Sequence, residues 1–519
     1  MKLNMLQKRI SILKEEYWWG GATSDGIHTP YGSKSFSRNL NFLDENQGVA
    51  LLISSKGRYV WSSAPFTFSI DNGVLLIEYV QENEVFFGEG FSDLKCVHTE
   101  VSKRFFPPTG KTPDKLAFLS PQYNTWIEMF YKPSQQKVLD YADAIIAHGM
   151  PPGVLIIDDN WMNDYGDWEF NCERFPDAKK MIDYLHTIGF KVMLWICPYI
   201  SPDSAIFRTL EKNGMLLKTT DGSPAIRRWW NGYSAILDYT KQSAIDWFLS
   251  KLSYLSDKYG VDGFKFDAGD PAIYGSDEWN KPFAWENYPY TNFDCEAYSK
   301  LGYSYELSEY RACWNSGGTH LIQRQKDKRP VWEGNGLDSL IPSGLLQGLI
   351  GYPFNCPDMI GGGMEGEFNS SDFKVDVELF IRFLQCSLLF PIIQFSIAPW
   401  RVLDEVHFSY CRDMLDIRQK LAPYIYVLAV NAAKTGEPII RSMEYEFPHQ
   451  GLSNINDQFM LGSKYLVAPM LKKGVASRDI YFPEGKWIGD DGSTVYGPKL
   501  QTIDVPLSRL PYYYLSKEV

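Results

Sequence analysis

The 519 residues are 45% hydrophobic and 22% charged, an ordinary soluble globular balance, with length enough for two or three domains around a large core. A formal charge of -12 without any Lys/Arg run argues against nucleic acid and against an anionic membrane as partners, and no apolar stretch reaches the roughly 18 residues of a membrane span. Aromatic side chains, at 15%, are abundant, which suits a ligand with flat apolar faces such as a sugar or a base.

The opening MKLNMLQKRISILKEEYWWGG has lysines but no clean apolar core and no small-residue cleavage site. It therefore predicts a cytoplasmic protein, or a periplasmic or secreted one whose leader has been removed. Residues 1–112 alternate β-like runs (GVALLISSKGRYVWSS, FTFSIDNGVLLIEYV, NEVFFGEGF) with Asp-Gly and Asn-Gly type turns, the pattern of an N-terminal antiparallel β-sandwich. FFPPTGKTPDK reads as a linker.

From about residue 115 the rhythm changes to strand and helix in turn: LAFLS, then SQQKVLDYADAIIAHGM, GVLIIDD, AKKMIDYLHTIGF, KVMLWICPYI, SAIDWFLSKLSYLSDKYG and VDGFKFDAGD. Further strands are expected in HLIQRQ, GLIGYPFNCPD and LLFPIIQFS. Continuous apolar strands between amphipathic helices indicate a parallel sheet covered on both faces. Some eight units predict a (β/α)8 TIM barrel over 113–432, whereas a doubly wound sheet would want a G-x-G-x-x-G after its first strand. Short strands return after 435, giving a C-terminal β-sandwich domain over 433–519.

Barrel enzymes carry their sites at the C-terminal ends of the strands, so polar residues directly after an apolar strand are the candidates. This filter selects Asp158, Asp159, Asn160 and Trp161; Trp195; Lys265, Asp267 and Asp270; Asp327; Asp358; and Gln394 with Trp400. Carboxylates and tryptophans dominate. The eight cysteines show no C-x-x-C and read as buried free thiols; the seven histidines show no H-x-H or H-E-x-x-H. No metal and no organic cofactor is expected. Two carboxylates with aromatic platforms suit glycosidic bond cleavage, so the expected partner is an oligosaccharide or glycoside. Nothing in the sequence sets an oligomeric state.

GFKFDAGD, YGDWEFNCERFPD and GYPFNCPDMIGG resemble motifs of glycoside hydrolase family 31, in the family's order and over essentially the whole chain. The resemblance implies a (β/α)8 barrel and a retaining mechanism on α-linked sugars with two aspartates. Asp267 matches the nucleophile. Lys265, on the same strand face, would hold that carboxylate ionised, bond a sugar hydroxyl, or pair with a neighbouring strand. Asp327 lies 16 residues after Arg311, the separation the family uses between a sugar-binding arginine and its acid/base, with Glu333 and Asp338 as competitors; Asp338 is expected to cap the following helix.

Asp158 matches a hydroxyl-binding aspartate, with Asp159 sharing that task or serving the turn. Trp195 and Trp230 match aromatic walls, and Trp18 and Trp19 match a segment reaching the pocket from the first domain, unless they simply pack between domains. Asp270 and Asp358 would support the site. The family's glucosidases and xylosidases carry a histidine near the last barrel strand, but FPIIQFSIAPWRVLD has none before His407. That and the Asp-Lys context of Asp327 resemble the α-galactosidase-like branch, so α-galactosidase is the implied activity. The alternatives are α-glucosidase, α-xylosidase, α-N-acetylgalactosaminidase, a sulfoquinovosidase using Arg227, Arg228 or Arg324, and a catalytically silent carbohydrate-binding homologue.

Overall fold

The computed structural model describes residues 4–516 apart from 33, 42, 44–45, 82, 275–291 and 369–373. Within these, Gln122–Asn124 (β1), Val154–Ile157 (β2), Lys191–Ile196 (β3), Gly263–Phe266 (β4), Leu307–Tyr310 (β5) and Ile322–Arg324 (β6) run parallel, each bonded to the next. The seventh strand (β7) is in two pieces. Asn355–Cys356 pairs with β6 and Met359–Ile360 with Gln394–Phe395 (β8), which returns to β1 and closes the barrel. The break falls at Pro357, which has no N–H to give the ladder, and at Asp358, whose φ of +88° turns the chain.

Around the strands lie Gln135–Ala147 (α1), Ala178–Thr187 (α2), Gln242–Tyr259 (α3), Asn292–Lys300 (α4), Leu340–Leu349 (α5), Val377–Ser387 (α6) and Glu405–Thr435 (α7). Local signals set their ends: Ser134, Asp177, Asp376 and Asp404 accept first-turn N–H groups, and α3 and α7 stop at left-handed Gly260 and Gly436. No helix separates β5 from β6. There Cys313–Trp314 adds in parallel to the N-terminal strand Gln47–Ser54, and Gln47 Nε2 donates to the carbonyls of Arg311 and Arg324, both at 2.8 Å. An N-terminal sheet thus fills the place of a barrel helix and caps the strand ends that carry two arginines.

Two antiparallel sheets form the N-terminal region, joined by a core that includes Trp18, Leu52, Val60 and Phe68. Its tightest hairpin turns at Asn72 and Gly73, both with positive φ, as the Asp-Asn-Gly run predicts. The C-terminal sheet is antiparallel, dominated by the hairpin of Ser477–Gly489 and Thr494–Asp504.

Four sequence expectations change. LAFLS is a helix, Lys115–Leu119, because Asp114 Oδ1 accepts from Leu116 N at 2.8 Å and starts a turn; β1 begins after it. GLIGYPFNCPD supplies the end of α5 before its strand, and LLFPIIQFS contributes only Gln394–Phe395 as strand. All eight cysteines are unpaired, but Cys96 and Cys172 are exposed, not buried. Among the described residues no helix is long and apolar enough to cross a membrane.

Candidate active site

Strand ends β2 to β6 bring their polar residues to one cavity of about 260 Å³, lined by Asp158, Asp159, Trp195, Trp230, Lys265, Asp267, Arg311 and Asp327. Eight of the nine sequence candidates for catalysis and binding meet there. Strand register explains the convergence. Trp195, Lys265 and Glu309 are lateral partners across β3, β4 and β5, so their side chains stand in one row facing the barrel axis.

Asp267 follows β4 where the chain turns through left-handed Ala268 and Gly269. Its Oδ2 accepts from Trp195 Nε1 at 2.8 Å and its Oδ1 from Ala268 N at 2.9 Å. Arg311 Nε stands 3.3 Å from Oδ1, while Arg311 Nη2 pairs with Asp270. Burial alone would push the Asp267 carboxyl up, but Arg311, Lys265, Arg324 and the Trp195 N–H outweigh it and hold the group well below the usual carboxylate range. Asp267 is thus an oriented anion. Asp270 reaches Asp267 through Arg311, a geometry compatible with the supporting part expected of it.

Lys265 Nζ bonds Asp158 Oδ2 at 2.6 Å, both side chains almost fully buried; the ion pair reaches past β3 to the end of β2 instead of joining the neighbouring strand that was expected. Asp159 differs. Among the described residues it makes no salt bridge, Arg174 acting on it only at longer range; its Oδ2 accepts from Tyr165 OH at 3.1 Å and its Oδ1 has no hydrogen-bond partner among them. Burial, with the neighbouring Asp158 charge, pushes its carboxyl up to about 8, so it is neutral at pH 7 and able to donate.

The sign of the resulting pH dependence follows. Between about pH 4 and pH 8 the folded chain holds a proton on Asp159 that the unfolded chain has lost, so this group costs stability increasingly across that window. Asp159→Asn is expected to be more stable than wild type by roughly 1–3 kcal/mol at pH 8.5, with the gain fading towards pH 4. Urea unfolding at three pH values reads this; a gain independent of pH would refute it.

Asp327 follows β6, with Oδ1 2.7 Å from Arg324 Nη1 and its side chain 34% exposed. Trp230, 50% exposed in the turn between Ile226–Trp229 and Gly232–Ile236, lies over Arg311, whose guanidinium carbon is 5.2 Å from the ring centre. Trp230 therefore offers an open aromatic face at the cavity wall.

Other candidates sit elsewhere. Trp18 is wholly buried in the N-terminal core beneath Arg58, and Trp19 is enclosed as well, because their strand, Trp18–Ala22, is covered on both faces; neither lines the cavity. Trp161 donates to the Trp195 carbonyl at 2.7 Å, Trp400 stacks on His148 outside the barrel, and Gln394 bonds Glu309 inside it. Glu333 is exposed and away from the cavity. Asp338 accepts from Gly334 N at 3.0 Å within its own loop, and the cap of α5 is Ser339. Arg324, 1% exposed, is committed to carboxylates and closed to a sulfonate, and Arg227 is buried.

The sequence reading missed Trp126, Tyr131, Met359, Met364, Glu365 and Gly366, which also line the cavity. A larger space of about 620 Å³ adjoins the helix Trp126–Met129, but its one carboxylate, Glu128, is paired with Arg401 at 2.6 Å. Among its described lining residues it offers no two-carboxylate chemistry, so the smaller cavity is the candidate site.

The family model "Glycosyl hydrolases family 31 TIM-barrel domain" matches residues 122–428, and "Glycosyl hydrolase family 31 C-terminal domain" matches 436–517. The myogenesis-regulating glycosidase of Mus musculus is 34% identical over 76% of this chain and 56% of its own length. An alpha-xylosidase of Emericella nidulans is 27% identical over 90% of this chain and 61% of its own. The chain thus spans somewhat over half the length of these curated relatives. A GH31 dextranase of Flavobacterium johnsoniae, solved with glucose, superposes on 99% of this chain and 66% of its own with a TM-score of 0.84 at 21% identity, a likeness of fold.

Proposed function

Because the chain belongs to glycoside hydrolase family 31, we propose that it is a retaining, exo-acting α-glycosidase that releases terminal α-linked galactose. The observation that carries this reading is Asp267, a buried carboxylate kept ionised and aimed by Trp195 and Arg311 in a cavity that Asp327 also lines.

In this reading an Asp267 oxygen forms a bond to the anomeric carbon while the glycosidic C–O bond breaks, its electron pair leaving on the aglycone oxygen. Asp327 gives that oxygen its proton. Water then attacks the anomeric carbon, Asp327 takes the water's proton, and Asp267 departs, so the configuration is retained. Asp158 and the neutral Asp159 bond sugar hydroxyls, with Lys265 holding Asp158. Trp195 and Trp230 supply apolar walls, and Arg311 balances Asp267. None of these steps calls for a metal or organic cofactor. Residues 113–432 carry the chemistry, and 1–112 and 433–519 are framing β domains.

Galactose is favoured because FPIIQFSIAPWRVLD offers no histidine and its Gln394 is engaged inside the barrel with Glu309 and Gln122. The α-xylosidase relative, aligned over 90% of the chain, favours α-xyloside as the second reading. Turnover of p-nitrophenyl α-galactoside, α-glucoside, α-xyloside and α-N-acetylgalactosaminide decides. The galactoside is expected to lead by at least about 10-fold in kcat/KM, with the α-anomer formed first by NMR. A lead for xyloside replaces the sugar assignment; a β-anomer refutes the retaining mechanism; a flat panel with measurable sugar binding favours a silent homologue.

A further inference from the structure

Asp327 is the most exposed carboxylate of the pair, yet the chain on either side of it is rigidly held. Gln325 N donates to Cys356 O at 2.9 Å and Gln325 Nε2 to Leu340 O at 3.0 Å. Asn335 Nδ2 donates to the Asp327 carbonyl at 2.8 Å. At the centre is Arg324, the last residue of β6. Its Nη1 donates to Asp327 Oδ1 at 2.7 Å and to Asp358 Oδ1 at 2.6 Å, and its Nε faces Glu309 Oε1 at 3.4 Å. The other oxygen of Asp358 accepts from Lys328 N at 2.7 Å. One carboxylate from the break in β7 therefore ties down both flanks of Asp327.

We propose that Arg324 is the positioning residue for proton transfer, fixing the Asp327 carboxylate at the cavity while Asp358 and Glu309 balance the guanidinium behind it. This rests on Asp327 being the acid/base.

Three features carry the inference. Arg324 does not line the cavity, so it acts not on a substrate but through carboxylates, on Asp327 by direct contact and on Asp267 only by its more distant charge. A buried guanidinium is costly unless paired, and two of its three carboxylates, Glu309 and Asp358, are themselves fully buried and outside the cavity lining. Finally, the planar fork spans neighbouring carboxylates at fixed angles, which a lysine ammonium does not.

Leaving-group dependence separates positioning from mere stability. Fluoride departs without a proton, whereas methoxide needs one, so the two substrates differ in their call on Asp327. The measurement is kcat/KM for α-D-galactosyl fluoride and methyl α-D-galactoside, with the α-xylosyl pair alongside, on wild type, Arg324→Lys, Arg324→Gln and Asp327→Ala. Because the ratio of the two values is independent of the folded fraction, a poorly folding variant still reads out.

Asp327→Ala should lose about 100-fold or more on the methyl glycoside while keeping the fluoride within about 10-fold. Arg324→Lys and Arg324→Gln should shift the ratio the same way by at least about 10-fold. If the arginine variants lose both substrates equally while Asp327→Ala splits them, the positioning role is wrong and the acid/base assignment stands. If Asp327→Ala shows no split, both fall.

Discussion

Asp267→Asn is expected to abolish turnover: with Asp267 as the proposed nucleophile, kcat on the preferred aryl glycoside should fall by on the order of 10^5-fold or more, the scale on which removal of a covalent nucleophile acts. The amide is nearly isosteric. Its oxygen still accepts from Trp195 Nε1 or Ala268 N, so the β4 turn persists and the protein remains folded at neutral pH. What is lost is the charge. An amide does not attack an anomeric carbon, and Arg311 loses one carboxylate partner while keeping its pair with Asp270.

The same loss has a thermodynamic sign. Asp267 has a depressed carboxyl when folded, so its stabilisation is present above the unfolded value near 4 and disappears as pH falls towards the folded one. The variant should be less stable than wild type by about 1–2 kcal/mol at pH 7, with the gap closing below about pH 4. A chemical signature accompanies Asp267→Ala: with α-galactosyl fluoride and added azide, azide enters the vacated space and gives the β-glycosyl azide. Wild-type-like activity in either variant overturns the nucleophile assignment.

The residues that were legible in the sequence share one property. Asp158, Asp159, Trp195, Lys265, Asp267 and Asp327 all stand at or just after a barrel strand, where an apolar run switches to polar side chains, and that switch is visible in the sequence alone. Arg311 also follows a strand, β5, but that strand went unread and the residue was found through its family spacing to Asp327. Trp230 was found only through its motif, since it sits at the tip of a β-hairpin inserted after β3.

Trp126 and Tyr131 were hidden because β1 is only three residues long, Gln122–Asn124, and the apolar LAFLS before it took its place in the reading. Met359, Met364, Glu365 and Gly366 follow a strand split at Pro357 and Asp358, which has no continuous periodicity to read. Trp18 failed for the opposite reason. A Trp pair beside glycines suits a binding edge and a covered strand equally, and only the sheet pairing on Gln47–Ser54 decides between them. Likewise, the role of Arg324 depends on carboxylates from β5 and β7, separated in sequence and joined only by barrel closure.

The stability consequence is largest at Lys265. Lys265→Met leaves Asp158 buried without its partner, and breaking a buried pair in this way costs about 3–5 kcal/mol. Methionine fills most of the lysine's volume, so the cost is electrostatic and not a cavity. If that is right, Asp158→Asn in the same chain removes the orphaned charge and recovers much of the loss, which a double-mutant cycle by urea unfolding measures.

The pH dependence adds an independent check. Burial pulls the Lys265 ammonium down, but Asp158, with Asp267 and Glu309, overrides it and holds its pKa above the ordinary lysine value. Such a group stabilises fully below about 10.4 and loses its effect as pH rises through the folded value. The gap between wild type and Lys265→Met should therefore be flat from pH 7 to about 10 and narrow above. A single-variant cost under about 1 kcal/mol, with no recovery in the double variant, would mean that water reaches the Lys265–Asp158 pair and that the barrel floor is not the dry, charged layer on which the Asp267 anion depends.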